Sequence, residues 1–442
     1  MTISTSLFFT TGLALAQMCF GADYVVEVKP GTNITALASK YGFTVLKSYG
    51  STTETSYRVS TLQPLSPQAI KNLSNEKGVD QVDANTTVRS PESSHPIMSA
   101  TLEPLGDLFA SRAGTNFYGS HVLATYVSQP GTGLIELGQA QQSYGGGSGI
   151  VAIIDTGVDT KHPALVNVLI PGYDFTRDRA DTVSEWNDLS PAAASALSQS
   201  TVEILDSKRV VKSLSQSTVE ILDQSTVEIL DSLKLPSAFG HGTMTAGLVH
   251  LVAPNAHIMP LKAFEADGSA SLYDIDRAIR YATDHGANVI NMSFSYADDS
   301  PVLSAAIAYA ANKGVLMVAS AGNAGKNTAA YPASYSWVIG VGSTNFSDRR
   351  SPFSNFGKSA KTSAPGEALV TLYPGGNYAA VWGTSFSTAL VSGAAALMHP
   401  MKSRLQYGDF CDVLDSGAHV DLDMGDARLD VLKSLAALLR EH

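Results

Sequence analysis

From residue 150 onward, short and continuously apolar segments alternate with stretches of helical periodicity. The apolar segments are IVAIIDTG, ANVINMSFS, GVLMVASAG and VIGVGST, and the helical stretches are 271–286, 300–313, 385–398 and 425–440. A strand that is apolar on both faces must be covered on both faces, as in a parallel sheet between two helical layers. The pattern therefore predicts a three-layer α/β domain with a mostly parallel central sheet.

A smaller unit precedes this domain at residues 23–90. Strands are predicted over 24–28, 43–49, 56–61 and 79–88, and helices over 33–42 and 66–78. The resulting order βαββαβ is that of a small ferredoxin-like α+β sandwich. Residues 91–148 are rich in Ser, Pro and Gly, and we interpret them as a linker and N-terminal segment leading into the large domain at 149–442.

The apolar segment SLFFTTGLALAQMCFGA at 6–22 is typical of a secretory signal peptide, because it is too short to span a bilayer comfortably. No Lys or Arg precedes it, and cleavage after either Ala16 or Ala22 fits the pattern. We assign 1–22 to the signal and expect a secreted protein, extracellular or periplasmic. A buried N-terminal strand or helix is the alternative.

Charge and cysteine content exclude several classes of partner and bond. The formal net charge is −11 and Lys and Arg form no dense run, which argues against nucleic acid and anionic membranes as partners. With Cys19 inside the predicted signal, Cys411 is the single cysteine of the mature chain. No intramolecular disulfide is then possible, and we interpret Cys411 as a small core residue.

The octapeptide QSTVEILD occurs three times without a mismatch, at 199–206, 216–223 and 224–231. Each copy is far shorter than the repeat of a solenoid, and identity at every position indicates tandem duplication. The copies lie in a region at about 176–237 that we interpret as an inert surface insertion, since loops tolerate added length at low cost. A binding role is the alternative.

Four polar side chains lie where predicted strands end or helices begin. Asp155 ends the strand in VAIIDTG, at the sheet edge where open α/β sheets bind ligands, and Asn323 follows the strand in MVASAGNAG. His241 lies between glycines in GHGTMTAGLV, and Ser385 opens the helix in GTSFSTALVSGAAALM. Each residue alone is explained equally well as a cap or a turn. Together they supply the nucleophile, base, orienting carboxylate and oxyanion donor that acyl transfer by serine requires.

In this order, AIIDTGVDTKHPAL, GHGTMTAGLV, ASAGNAG and GTSFSTALVSGAAAL resemble the four signatures of the subtilisin-like serine proteases, the subtilases of peptidase family S8. The resemblance covers about 150–440 and extends to YPASYSWVIGVGS and APG. The unit at 23–90 more loosely resembles an inhibitor I9-like propeptide. The family implies that Ser385 is the nucleophile and His241 the general base and acid. It also implies that Asp155 orients the imidazole, and that Asn323 and the Ser385 N–H form an oxyanion hole.

The resemblance also implies where a substrate binds. A peptide would add as a strand against 292–296, through Ser293, Phe294 and Ser295. An apolar subsite would be lined by Leu272, Ile275 and Phe294, and one wall of the main specificity pocket by Ala319, Ser320, Ala321 and Gly322. Small neutral walls predict a preference for apolar residues and argue against processing at basic pairs. Core packing is the simpler alternative for all of these side chains.

Some positions depart from the family pattern. Ala389 replaces the usual proline, Met244 replaces a frequent second histidine, and PSAF replaces the acidic residue that often precedes GHGT. Alanine is a good helix former, so activity is expected to survive. The segment 248–264 lacks the long loop that forms a calcium site in many relatives, so neither a metal nor a cofactor is expected.

These features predict a monomeric serine endopeptidase that acts on proteins or peptides and is made as a self-processed zymogen. Its propeptide would serve as intramolecular chaperone and inhibitor, with the maturation bond between about Val88 and Tyr118. Two alternatives are a catalytically silent binding protein with the subtilase fold and an intracellular peptidase whose apolar N-terminus is not a signal.

Overall fold

The computed structural model describes residues 21–50, 54–90, 111–180, 182–195, 219–221, 235–420, 422–425 and 427–440. The chain divides into two compact units, Met1–Asn85 and Thr86–His442. Apart from Gly21 and Ala22, the predicted signal segment lies outside the described residues. Among those described, no helix has the length and apolar character needed to cross a membrane.

The smaller unit has the predicted βαββαβ order. Its elements are β1 (Ala22–Val28), α1 (Ile34–Tyr41), β2 (Phe43–Gly50), β3 (Thr55–Thr61), α2 (Pro67–Ser74) and β4 (Val79–Ala84). The antiparallel sheet has the order β2-β3-β1-β4, and Val26 and Val59 of the sheet share a buried core with Leu73 of α2. The predicted strand 79–88 is too long, because β4 ends at Ala84 and residues 87–89 form a separate strand of the larger unit.

The larger unit contains most of the regular structure. Its strands are β5 (Thr87–Arg89), β6 (Gly114–Phe117), β7 (Ser120–Leu123), β8 (Ile150–Asp155), β9 (Tyr173–Asp174), β10 (Val219–Ile221), β11 (His257–Lys262), β12 (Ser269–Ser271), β13 (Val289–Met292), β14 (Leu316–Ser320), β15 (Val338–Thr344), β16 (Thr362–Pro365), β17 (Leu369–Tyr373) and β18 (Asn377–Val381). Its helices are α3 (Ala124–Val127), α4 (Pro130–Leu134), α5 (Leu137–Tyr144), α6 (His241–Val252), α7 (Leu272–Asp284), α8 (Pro301–Asn312), α9 (Thr384–Met398), α10 (Tyr407–Leu414) and α11 (Val431–Leu438).

A seven-stranded parallel sheet forms the centre of this unit, with the order β16-β15-β14-β13-β8-β11-β9. Strands β13 and β14 are buried along their whole length and β8 everywhere except at Ile150, which explains their continuous apolar sequences. Helices α6 and α9 pack together against the sheet, while α7 and α8 form a second pair that also packs on it. The predicted three-layer α/β architecture is confirmed.

Two expectations about elements need correction. The helix predicted over 425–440 is shorter, because Gly425 has a φ of 85° and the Asp430 side chain accepts the Lys433 N–H, which starts α11 at Val431. The segment interpreted as a linker contains a hairpin and three helices from Gly114 onward. The hydroxyl of Tyr126 in this segment is fully buried and donates to the Gly247 carbonyl of α6 at 2.6 Å. This part of the segment is therefore core structure.

The repeat region contributes one described strand, which belongs to the second copy of QSTVEILD. Strand β10 pairs antiparallel with the edge of β18, so that Val219 is opposite Val381 and Ile221 is opposite Ala379. The other two copies lie outside the described residues. The first part of the predicted insertion contains a short 3-10 helix, Glu185–Asp188.

Candidate active site

Asp155 and His241 form a buried pair at the carboxyl edge of the parallel sheet. Asp155 is the last residue of β8 and His241 the first of α6, and each is 3% exposed. His241 Nδ1 lies 2.7 Å from Asp155 Oδ1, so the carboxylate makes Nδ1 the protonated nitrogen of the ring. The Thr156 N–H donates to the same oxygen at 2.7 Å and the Thr245 hydroxyl to the other at 3.2 Å. These bonds hold one tautomer and one orientation of the imidazole.

Glycines make this close approach of strand end and helix start possible. Gly240 has a φ of 88°, a conformation that glycine adopts without strain, and it turns the chain into α6. A Cβ on Gly242 would lie 1.9 Å from the carbonyl oxygen of Gly157. Any side chain at position 242 would therefore separate the helix that starts at His241 from the turn that follows Asp155.

Ser385 is the second residue of α9 and is fully buried. Its hydroxyl donates to the Ser293 carbonyl at 3.2 Å, and the Ser293 hydroxyl donates to the Ser385 carbonyl at 3.0 Å. The ring of the next residue, Phe386, lies 5.6 Å from the His241 ring, centroid to centroid. The packing of α6 against α9 thus brings the start of the serine helix next to the Asp155–His241 pair.

Asn323 is held beside the start of α9 by its own side chain. Its Oδ1 accepts the Thr384 N–H at 3.0 Å and the Thr384 hydroxyl at 2.8 Å, and the residue is 5% exposed. The Asn323 amide is therefore held at the N-terminal end of α9, where the helix dipole favours negative charge, an arrangement suited to a developing oxyanion.

The residues expected to bind substrate surround this region. Leu272, Ile275 and Phe294 are fully buried, and the Ser320 hydroxyl donates to the Phe294 carbonyl at 3.0 Å. The expected pocket wall lies at the end of β14 and just beyond it, and it consists of Ala319, Ser320, Ala321 and Gly322, all buried. Gly322 has a φ of 95°, and a Cβ there would lie 2.6 Å from the Asn355 side chain.

The chain's own residues 86–90 lie along the predicted substrate strand. Strand β5 pairs antiparallel with β12, placing Val88 opposite Ala270, and the Ser90 N–H donates to the Gly268 carbonyl at 2.9 Å. On the other side, the Ser295 N–H reaches the Arg89 carbonyl at 3.5 Å. The segment is therefore bracketed by β12 and the 292–296 segment, with Val88 completely buried.

Glu185 is a buried acidic residue of this region that the sequence motifs did not indicate. Its Oε1 accepts the Thr156 hydroxyl at 2.6 Å and the Gly242 N–H at 3.1 Å, and its Oε2 is bonded to the Thr243 hydroxyl. Glu185 and Gly242 are 57 positions apart, and Glu185 falls in the predicted surface insertion. No motif or spacing marks it, so only the tertiary structure could reveal it.

The described residues contain no group of three or more His, Cys, Asp or Glu side chains arranged to hold a metal ion. The partly buried Cys411 lies on α10, and burial raises the pKa of its thiol. It therefore lacks the lowered pKa of a nucleophilic cysteine.

Comparison with known proteins agrees with this geometry. The model of the subtilase family matches residues 146–406. The chain belongs to the subtilase family.

Two curated relatives illustrate the extent of the similarity. This subtilase is 35% identical over 248 residues to a thermophilic serine proteinase of Bacillus sp. (strain AK1), covering 56% of the chain and 51% of that protein. It is 31% identical over 280 residues to thermitase of Thermoactinomyces vulgaris, covering 61% of the chain and 81% of thermitase. The match thus spans about half the length of the Bacillus proteinase and most of thermitase.

The fold has a counterpart among solved structures. A crystal structure of a cold adapted subtilisin-like serine proteinase superposes with a TM-score of 0.50 at 24% identity. The superposition covers 65% of this subtilase and 90% of that chain. At this identity the comparison establishes a shared fold.

Proposed function

We propose that this subtilase is a serine endopeptidase that cleaves peptide bonds through Asp155, His241 and Ser385. The observation that carries the proposal is the buried 2.7 Å hydrogen bond between Asp155 and His241 beside the helix start that presents Ser385. Membership of the subtilase family supports it, since the relatives named above are serine proteinases.

In the proposed reaction, His241 Nε2 removes the proton of the Ser385 hydroxyl while Ser385 Oγ bonds to the carbonyl carbon of the substrate. His241 then gives this proton to the leaving nitrogen, the C–N bond breaks, and an acyl-enzyme remains. Water repeats the sequence, with His241 as base, and releases the acid and the free serine. Asp155 stays ionised and stabilises the imidazolium that forms in each half-reaction.

Asn323 and the Ser385 N–H would stabilise the tetrahedral intermediate. The two bonds from Thr384 fix the Asn323 amide before substrate arrives, so little reorganisation is required as negative charge develops. Removal of such an asparagine donor costs roughly 3–4 kcal/mol of transition-state stabilisation, a magnitude known from subtilisin.

Substrates would bind as an extended strand between β12 and Ser293, Phe294 and Ser295, in the way that residues 86–90 lie there. Leu272, Ile275 and Phe294 are apolar, and Ala319, Ser320, Ala321 and Gly322 add no charge. We therefore propose that the enzyme prefers substrates with apolar side chains and does not process sites with paired basic residues.

We also propose that the protein is exported as a zymogen. Residues 86–90 occupy the strand position that substrate would need, so the uncleaved chain would inhibit itself. Cleavage between about Val88 and Tyr118 would free this strand from the catalytic domain. The apolar N-terminal segment supports export, and no partner other than substrates and the protein's own propeptide is proposed.

The test compares the purified precursor with its Ser385→Ala variant by gel, by intact mass and by labelling with a fluorophosphonate. We expect only the parent to lose its N-terminal unit and to be labelled, and the new N-terminus would identify the maturation bond. If both proteins stay full length and unlabelled, the catalytically silent binding protein becomes the better description.

A further inference from the structure

The carboxyl group of Glu185 is completely buried beside the Asp155–His241 pair and takes no part in the reaction proposed above. Both of its oxygens are hydrogen-bonded, one to the Thr156 hydroxyl and the Gly242 N–H and the other to the Thr243 hydroxyl. A buried carboxyl with three partners is held in one position, and in turn it fixes its partners.

The partners of Glu185 come from both elements that carry the pair. Thr156 directly follows Asp155 at the end of β8, and Gly242 directly follows His241 at the start of α6. Thr156 is itself linked to the helix, because the Gly242 N–H also approaches its hydroxyl at 3.0 Å. A single side chain thus ties the strand end to the helix start.

Glu185 also accepts a hydrogen bond from a backbone N–H group in the first turn of α6. The residue before the helix is Gly240, which has no side chain to accept the N–H groups of the first turn. Glu185 accepts one of them from a distant segment, and a carboxyl near a helix N-terminus is favoured by the helix dipole. Without it, the Gly242 N–H in the first turn of α6 would keep only the Thr156 hydroxyl as acceptor, and that hydroxyl would lose its own bond to Glu185.

We propose that Glu185 is a positioning residue that holds the Asp155–His241 pair in register by hydrogen-bonding both flanking elements. The inference rests on the proposed protease function for its kinetic consequence. Glu185 would thus give a structural role to the segment at about 176–237, for which the sequence predicts only an inert surface insertion.

The charged and titratable groups around Glu185 determine its ionisation. Burial raises the pKa of Glu185 to about 7 against the hydrogen bonds from Thr156 and Thr243, with Asp155 raising it further and Lys262 lowering it. Lys262 donates to Asp188 at 2.8 Å and to the Thr156 carbonyl at 2.7 Å.

His241 and Tyr373 are the other titratable neighbours of Glu185. His241 directly precedes Gly242, whose N–H Glu185 accepts, and the pKa of the Tyr373 phenol is raised mainly by burial and further by ionised Glu185.

Two variants separate positioning from general stability. Glu185→Gln keeps an acceptor for Thr156 and Gly242, whereas Glu185→Leu has similar bulk and no acceptor. The control is Asp430→Ala, which removes a buried carboxylate that accepts a backbone N–H at the start of a different helix, α11. Each protein is assayed with a peptide substrate for kcat and KM, and its thermal midpoint is measured.

We expect Glu185→Leu to lower kcat on the order of 10²-fold with little change in KM, because displacement of a catalytic group by about 1 Å has that effect. Glu185→Gln should recover most of this loss, because its amide oxygen still accepts from Thr156 and Gly242. Asp430→Ala should lower the thermal midpoint but leave kcat within about twofold, since α11 does not carry the pair. The inference is overturned if Glu185→Leu keeps the wild-type kcat, or if Asp430→Ala lowers kcat as much as Glu185→Leu does.

A spectroscopic measurement tests the same point without relying on activity. The proton between His241 Nδ1 and Asp155 should give a low-field proton resonance in the wild type and in Asp430→Ala, and it should be lost or shifted in Glu185→Leu. An unchanged resonance overturns the inference even if the protein proves inactive. If Glu185→Leu does not accumulate in folded form, the smaller Glu185→Ala variant, which also lacks an acceptor, takes its place, and an unchanged resonance in that variant overturns the inference.

Discussion

His250 should make the larger unit sensitive to acid. It lies on α6, two turns beyond His241, and is 3% exposed. Among the described residues, neither of its ring nitrogens has a hydrogen-bond partner, and its ring meets the Phe117 ring edge-on at 5.7 Å. Burial, with a smaller contribution from the nearby His162, lowers the pKa of His250 from 6.5 to about 4.

The sign and size of the effect follow from proton linkage. The unfolded chain binds the proton more tightly than the folded protein, so the stability contributed by His250 is present above its unfolded pKa and is lost as the pH falls toward 4. At 1.36 kcal/mol per pKa unit, the loss relative to neutral pH is about 2 kcal/mol at pH 5 and about 3 kcal/mol at pH 4. This is a large part of the 5–15 kcal/mol by which domains are typically stable.

The assay is urea unfolding of the parent and of His250→Leu at several pH values, both with Ser385→Ala to prevent self-cleavage. Tryptophan fluorescence reports on the larger unit alone, because Trp186, Trp337 and Trp382 all belong to it. The free energy of unfolding of His250→Leu should fall less than that of the parent, by about 2 kcal/mol between pH 7 and pH 5.

The parent and His250→Leu must be compared because the stability contributed by Glu185 changes with pH in the opposite direction to that of His250. Its pKa is raised to about 7, so its contribution is present at low pH and is lost as the pH rises through that value. Both proteins contain Glu185, and the difference between them isolates His250. Parallel pH curves for the parent and His250→Leu would refute the assignment of acid sensitivity to this residue.

Two further predictions concern strand β5, which contains Val88, and Gly242, the glycine that follows His241. Val88→Asp places a carboxylate at a completely buried position and should displace residues 86–90. Because burial of valine is worth roughly 1.5–3 kcal/mol, the rate of fluorophosphonate labelling of Ser385 in the precursor should rise about tenfold or more. An unchanged labelling rate would argue that residues 86–90 do not obstruct the site. Gly242→Ala should abolish labelling, since its Cβ would lie 1.9 Å from the Gly157 carbonyl, whereas Gly138→Ala in α5 meets nothing within 4 Å and should raise the thermal midpoint slightly. Normal labelling of Gly242→Ala would contradict the close approach described here.

Much of the fold could be predicted because its elements have strong local patterns. Continuous apolar strands such as β8 and β14 occur only where both faces are covered, and this requirement leads directly to a parallel sheet between helical layers. Boundaries were less accurate where a single residue decides them. The left-handed conformation of Gly425 and the capping bond of Asp430 delay the last helix by several residues.

Short segments of the sequence were enough to select Asp155, His241, Ser385 and Asn323, because each lies in a motif at the end of a regular element. The same approach could not identify Glu185, which has no motif and acts on Gly242 across 57 positions of the chain. It also placed the strand 79–88 in one sheet, although residues 87–89 pair with β12.

The sequence by itself determined the fold class and the chemistry that its motifs suggest, because periodicity and local motifs are properties of neighbouring residues. Only the tertiary structure decided that residues 86–90 lie between β12 and Ser295, that His250 is buried without hydrogen-bond partners among the described residues, and that Glu185 joins the two elements carrying Asp155 and His241. These properties depend on which distant segments meet and on how much water they exclude. Burial alters the pKa of a side chain, and hydrogen-bond partners fix its position, and neither can be read from neighbouring residues.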